Sequence, residues 1–184
     1  MITSQVTAIT SLIKPSEIRQ EEIVTLARLV NLAYRKGEEG IILPNTKRAS
    51  EKAITQMIQQ NELIGLRVDS AWKGCVHVGL SPYDNTSESA LLGMLTVADE
   101  SRYRRGKGYG TILMDSAETL AKNRGYKHMM LELLKPLSWV QSHKERLESW
   151  YIKRGYIHID TLPLHRPEVL ISQECILKIF RKDL

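Results

Sequence analysis

"RRGKGYGT", residues 104–111, sets three glycines among five positions and surrounds them with basic side chains. The apolar run "LLGMLTV" (91–97) precedes it, and "ILMDSAETLAKNRG" (112–125) follows. The upstream run has the length and composition of a strand. Downstream, Ile112, Leu113, Ala117, Leu120 and Ala121 recur on one side of a helix that Gly125 stops. A strand that turns into a helix through glycines leaves several backbone N–H groups pointing one way. The helix dipole adds roughly half a positive charge at that end. Glycines let an anion approach the backbone closely, and Arg105 and Lys107 add charge around it. The stretch reads as an anion site.

Spacing narrows the ligand. A Walker loop requires a hydroxyl residue after its lysine, but Lys107 is followed by Gly108. The dinucleotide fingerprint fails as well, because Thr111 stands where the third glycine belongs. A tight turn without any ligand is the remaining plain reading of the glycines.

Working outward, residues 4–12 read as a first strand. "PSEIRQEEIVTLARLVNLAYRKG" (15–37) places Ile23, Leu26, Ala27, Val30, Ala33 and Tyr34 down one helical face. A shorter helix over 47–60 turns Ala53, Ile54, Met57 and Ile58 inward. Strand-like runs at 62–69, 72–80 and 90–98 form an antiparallel meander, the last two parted by "SPYDNTSES". "KHMMLELL" (127–134) is a strand. "SHKERLESWYIKRG" (142–155) is a helix that Ser142 and Glu145 would open as a capping box. "YIHIDTL" and "ECILKIF" supply two final strands. The helix after the glycine loop is a crossover, which makes strands 90–98 and 127–134 parallel. The fold class is α/β, with a mixed, mostly antiparallel sheet.

The 184 residues suit a single domain able to bury its own core. No apolar run reaches membrane-span length, and the first residues lack the layout of a secretory signal, so a cytoplasmic location is expected. Cys75 and Cys175 both lie in apolar runs and read as core residues with no metal-ligand spacing. The net charge of +5 raises the possibility of nucleic acid. However, the basic residues are scattered, there is one Phe, and the densest group (Arg102, Arg104, Arg105, Lys107) sits on the glycine loop. A local anion site fits better than a nucleic-acid groove.

Arg105, Gly108 and Gly110 form R-x-x-G-x-G. With "LGMLTV" before, "ILMDSAETLA" after, and "LESWYIKRGY" at 147–156, the chain resembles the GNAT superfamily of acetyl-CoA-dependent N-acetyltransferases. The resemblance is concentrated in residues 91–156. It implies a three-layer α-β-α domain whose sheet of about seven strands splays at the central parallel pair. The co-substrate would be acetyl-CoA. Its pantetheine arm would lie in the gap against backbone groups of Leu95, Thr96 and Val97. The N–H groups of Gly106, Lys107, Gly108, Tyr109, Gly110 and Thr111 would hold the pyrophosphate.

Direct attack on a thioester needs a neutral amine, whereas a lysine-like amine with a pKa of about 10.4 is mostly protonated at pH 7. A base must take that proton, and an acid helps the CoA thiolate leave. The resemblance assigns the acid to Tyr151. Glu132 is the candidate base, because a carboxylate interrupting the apolar strand "MMLELL" must be partnered or functional. Asp99 and Glu100 are alternatives. The segment "LLKPLSWVQSHKE" departs from the superfamily's shorter connection, and Trp139 there either lines the acceptor pocket or packs the loop. The resemblance implies that the acceptor enters on the side of "YRKGEEGIILPNTKR" (34–48). Glu38 and Glu39 would attract an amine, Arg35, Lys36, Lys47 and Arg48 would seat a carboxylate, or all six are solvated. The five histidines read as structural or exposed. A non-catalytic CoA-binding module is the alternative function. Pairing of edge strands at 156–162 or 174–181 would give a homodimer.

Overall fold

Strand β4 (Ser89–Val97) organises the molecule, because its two halves pair differently. Residues Ser89–Leu92 pair in parallel with His128–Leu131 of β5 (His128–Pro136). Beyond Leu92 and Leu131 the two strands part. β4 continues against β3 alone (Ala71–Leu80), and β5 continues against β7 alone (Cys175–Asp183). A bulge marks the parting: between the pairs His77↔Gly93 and Cys75↔Thr96, the single residue Val76 faces both Met94 and Leu95. Met94 takes φ 51°, a left-handed conformation uncommon for a side-chain-bearing residue, which bends the strand.

In this computed structural model, residues 7–98, 108–164 and 174–184 are described. The sheet is completed by β1 (Ala8–Leu12), β2 (Leu63–Val68) and β6 (Ile157–Pro163), in the order β1-β2-β3-β4-β5-β7-β6. All pairings except β4–β5 are antiparallel. Helices α1 (Gln20–Gly37) and α2 (Glu51–Gln59) cover one face, and α3 (Tyr109–Asn123) and α4 (Ser142–Lys153) cover the other. The result is the expected three-layer α/β architecture. None of these helices is long and apolar enough to cross a membrane.

Period-3.6 apolar faces explain the layers. Ile23, Leu26, Ala27 and Val30 of α1 and Ile54 and Ile58 of α2 pack with Leu63, Trp72 and Cys75. Opposite, Leu113, Met114, Ala117 and Ala121 of α3 pack on Val76, Val78, Met129 and Leu131. Polar ties fix the angles. Glu22 accepts hydrogen bonds from the Arg19 N–H at the start of α1 (3.1 Å) and from the Trp72 indole of β3 (2.9 Å). Ser50 caps α2, its hydroxyl accepting the Ala53 N–H at 3.1 Å.

Two expectations need correction. Helix α4 begins at Ser142 with Gln141 as its cap residue, so the Ser142–Glu145 box does not form. Gln141 is held by tertiary contacts, donating its amide to the carbonyls of Gly37 and Glu39, while Glu145 pairs with Lys135 of β5 at 2.5 Å. And segment 174–181 is no edge: β7 lies between β5 and β6, leaving β6 and β1 at the margins.

Candidate active site

The parting of β4 and β5 opens a cavity of about 530 Å³, within the range of small-molecule sites. Its walls are the separated strand halves, Leu91–Val97 and Leu131–Leu134. The C-terminal end of α1, Leu147, Trp150 and Tyr151 of α4, and Gly110 at the start of α3 also contribute. Leu95 and Val97 turn their side chains into the core beneath α3 and α4. Thr96 is 2% exposed, and its hydroxyl is buried without a hydrogen-bond partner. An orphaned hydroxyl and an unzipped strand edge together form a polar seam on which an extended amide-bearing arm could be bonded.

The start of α3 lies at one end of this seam. Gly108 holds φ 70°, and the first intrahelical bond runs from the Ile112 N–H to its carbonyl at 2.9 Å. The preceding N–H groups, at Gly110 and Thr111, are those that helix geometry leaves without carbonyls. Among the described residues, a Cβ built on Gly108 or Gly110 would meet nothing within 4 Å. Tyr109, in contrast, buries its ring in the core and contributes only backbone. Arg105, Gly106 and Lys107, like Asp99 and Glu100, lie outside the described residues.

Tyr151 is 7% exposed, with ring centroids 5.3 Å from Trp150, 6.2 Å from Tyr156 and 6.4 Å from Phe180. Loss of solvent pushes its phenol up to about 12, so it stays protonated throughout the physiological range. Among the described residues its hydroxyl makes no hydrogen bond. Glu132 also lines the cavity, half-buried and paired in register with Ile179 of β7. Its Oε1 accepts a hydrogen bond from the Tyr83 hydroxyl. Tyr83 stands in the β3–β4 connection, which Asp84 folds back by accepting from Ser89 and from the Thr86 hydroxyl and N–H.

Sequence reasoning named Glu38 and Arg48 on the acceptor side but missed His77, Lys144 and the ion pairs that join them. His77 lines the cavity, its Nε2 3.0 Å from Glu62 Oε2. Glu38 is not a solvated residue: it is 3% exposed, between Lys144 (Nζ to Oε1, 3.3 Å) and Arg48 (Nε to Oε2, 3.3 Å). Burial lowers the Lys144 ammonium, and Glu38 opposes the shift. Removing one member of a pair buried like this costs about 3–5 kcal/mol. Glycine-flanked charges in a loop carry no periodicity to betray such a cluster. The long β5–α4 connection makes it, since it delivers Gln141 and Lys144 to the end of α1. Trp139 packs on that same end, its ring 3.2 Å from a Cβ built at Gly40, and does not line the cavity. Neither cysteine lines it. Burial raises both thiols, Cys75 to about 12, which disfavours the thiolate.

The sequence model of the acetyltransferase (GNAT) family matches residues 59–156. The chain belongs to that family. No curated protein matches it in sequence. Solved structures share its fold at low identity. Ribosomal-protein-alanine N-acetyltransferase of Brucella melitensis has 14% identity and TM-score 0.68, over 96% of this chain and 99% of that one. PaiA N-acetyltransferase of Thermoplasma acidophilum, solved with coenzyme A, has 17% identity and TM-score 0.67, over 97% and 99%. YncA of Salmonella typhimurium, solved with acetyl-CoA, has 11% identity and TM-score 0.68, over 98% and 95%. The GNAT match holds both Glu132 and Tyr151. It excludes α1 and the 38–50 loop, which carry Glu38 and Arg48.

Proposed function

We propose that this protein is an N-acetyltransferase that moves acetyl from acetyl-CoA to a primary amine by direct attack within a single domain. The observation that carries the reading is the separation of β4 from β5 beyond Leu92 and Leu131. It opens a cavity lined by a buried, protonated Tyr151 and by the carboxylate of Glu132. Acetyl-CoA supplies an acyl group on a good thiolate leaving group, and related folds have been solved with CoA and acetyl-CoA.

The residues present fit such a co-substrate. The strand edge around Leu95, Thr96 and Val97, with the orphaned Thr96 hydroxyl, offers bonds to the pantetheine amides. The backbone at Gly108, Tyr109, Gly110 and Thr111 offers N–H donors to the pyrophosphate, joined by Arg105, Gly106 and Lys107. Glu132, held by Tyr83, accepts the proton of the acceptor amine. Tyr151 donates its proton to the departing sulfur, and the backbone N–H near Val97 steadies negative charge on the carbonyl oxygen. No acyl-enzyme is needed, since both thiols are buried and raised.

Release of free CoA thiol in the presence of an amine panel tests the reading. Amine-dependent release is expected. Acetyl-CoA binding with no release from any amine would favour a CoA-binding module instead.

A further inference from the structure

A second cavity, of about 640 Å³, lies between the end of α1 and the loop that follows it, and it shares Tyr34, Glu38 and Arg48 with the first. Arg48 is built into this shared wall. Asn31 of α1 fixes its backbone, with Oδ1 accepting the N–H groups of Arg48 (2.7 Å) and Ala49 (3.1 Å) and Nδ2 donating to the Ala49 carbonyl (2.7 Å). The guanidinium carbon stands 5.0 Å from the centre of the Tyr34 ring, and Nε faces Glu38 Oε2 at 3.3 Å. The side chain is thus held from two directions and only 19% exposed. Among the described residues neither Nη makes a hydrogen bond. A guanidinium braced by a ring face and a carboxylate, on a residue that lines both cavities, is pre-organised for a planar two-oxygen anion.

The charges agree. Glu38 is shared by two cations, Arg48 and Lys144, which leaves one positive charge in excess at the wall. Lys47 adds to the first cavity, and Arg35 and Lys36 add to the second against Glu39. Such a wall attracts an anion, and it repels an ammonium in favour of the neutral amine that the reaction needs. The anchor also opens on the proposed reacting centre, because Tyr34, on which Arg48 stacks, lines the same cavity as Tyr151. Leu32, Ile42, Leu43 and Pro44 give the second cavity an apolar side.

We infer that Arg48 binds a carboxylate on the acceptor, which makes the preferred acceptor a small free amino acid, amine and carboxylate in one molecule. This rests on the N-acetyltransferase reading and names its substrate class.

The test uses the intact protein, acetyl-CoA and free L-amino acids, each beside its carboxamide, its decarboxylated amine and its aminophosphonate. The best amino acid is expected to exceed its carboxamide and amine by about 100-fold in kcat/KM. Arg48→Lys, with its folding checked by melting temperature, is expected to raise KM for the amino acid about tenfold. It should move KM for the decarboxylated amine, and kcat for either acceptor, by much less than that. If that variant fails to fold, the wild-type comparison alone decides. Equal use of acid, amide and amine, preference for the aminophosphonate, or an unmoved KM in the variant overturns the inference. Acetyl-CoA binding without acetylation of any free amino acid also overturns it, while leaving the co-substrate reading intact. Failure to bind acetyl-CoA removes both.

Discussion

The hydroxyl of Tyr83, in the β3–β4 connection, donates a hydrogen bond to the Glu132 carboxylate on β5. A carboxylate set among the leucines of β5 is thereby oriented by a residue 49 positions earlier in the chain. Glu132→Gln is expected to lower kcat about 100-fold. Tyr83→Phe should lower it only several-fold, and the double variant should be no worse than Glu132→Gln alone. Steady-state kinetics on the four proteins check this. Additive losses would mean that Tyr83 acts independently of Glu132.

Tyr151→Phe keeps the ring packed against Trp150, Tyr156 and Phe180 and removes only the hydroxyl. Turnover is expected to fall about 100-fold with acetyl-CoA affinity nearly unchanged. The raised phenol also sets a sign for pH. Because burial holds it at about 12, the acid form persists on the alkaline side, and the rate should show no falling limb below about pH 10. A descending limb near pH 8 that disappears in Tyr151→Phe would contradict the pKa and not the role. Unchanged turnover in the variant would remove the role.

Gly110 lies in the first turn of α3, and among the described residues none stands within 4 Å of where its Cβ would be. Gly110→Leu is therefore expected to preserve the fold, within a few degrees of the parent melting temperature, yet weaken acetyl-CoA at least about tenfold by occupying the phosphate approach. Retained affinity would place the phosphates elsewhere.

Asp84 organises the connection that presents Tyr83. The Ser89 hydroxyl, then the Thr86 hydroxyl and N–H, hold its carboxyl down at about 2, below the ordinary 3.8. A depressed folded-state pKa means that the stabilisation is present above about pH 4 and lost as pH falls toward 2. Asp84→Asn should lower the melting temperature at neutral pH, and the gap from the parent should close between pH 4 and pH 2. A gap constant over that window would show that the loop does not depend on this charge.

Much of this architecture was legible because it is periodic. The faces of α1 and α3, the meander and the crossover follow from spacing, and the glycine loop announces the start of α3. The bulge at Met94 was not legible, since nothing in "LLGMLTV" distinguishes a bent strand from a straight one. The Glu38–Lys144–Arg48 cluster escaped for a different reason. Its members come from the 38–50 loop and α4, whose meeting depends on tertiary packing, and each alone resembles a solvated charge. The cap of α4 failed likewise, because Gln141 answers to carbonyls at the end of α1 and not to its own helix.

The central claim is that the parted strands and the loop at Gly108 and Gly110 hold acetyl-CoA. Calorimetric titration of the purified chain with acetyl-CoA, at near-physiological salt, tests it most directly. The account predicts saturable binding at one per chain, weakened in Gly110→Leu. No binding by a folded sample free of copurified CoA would contradict it.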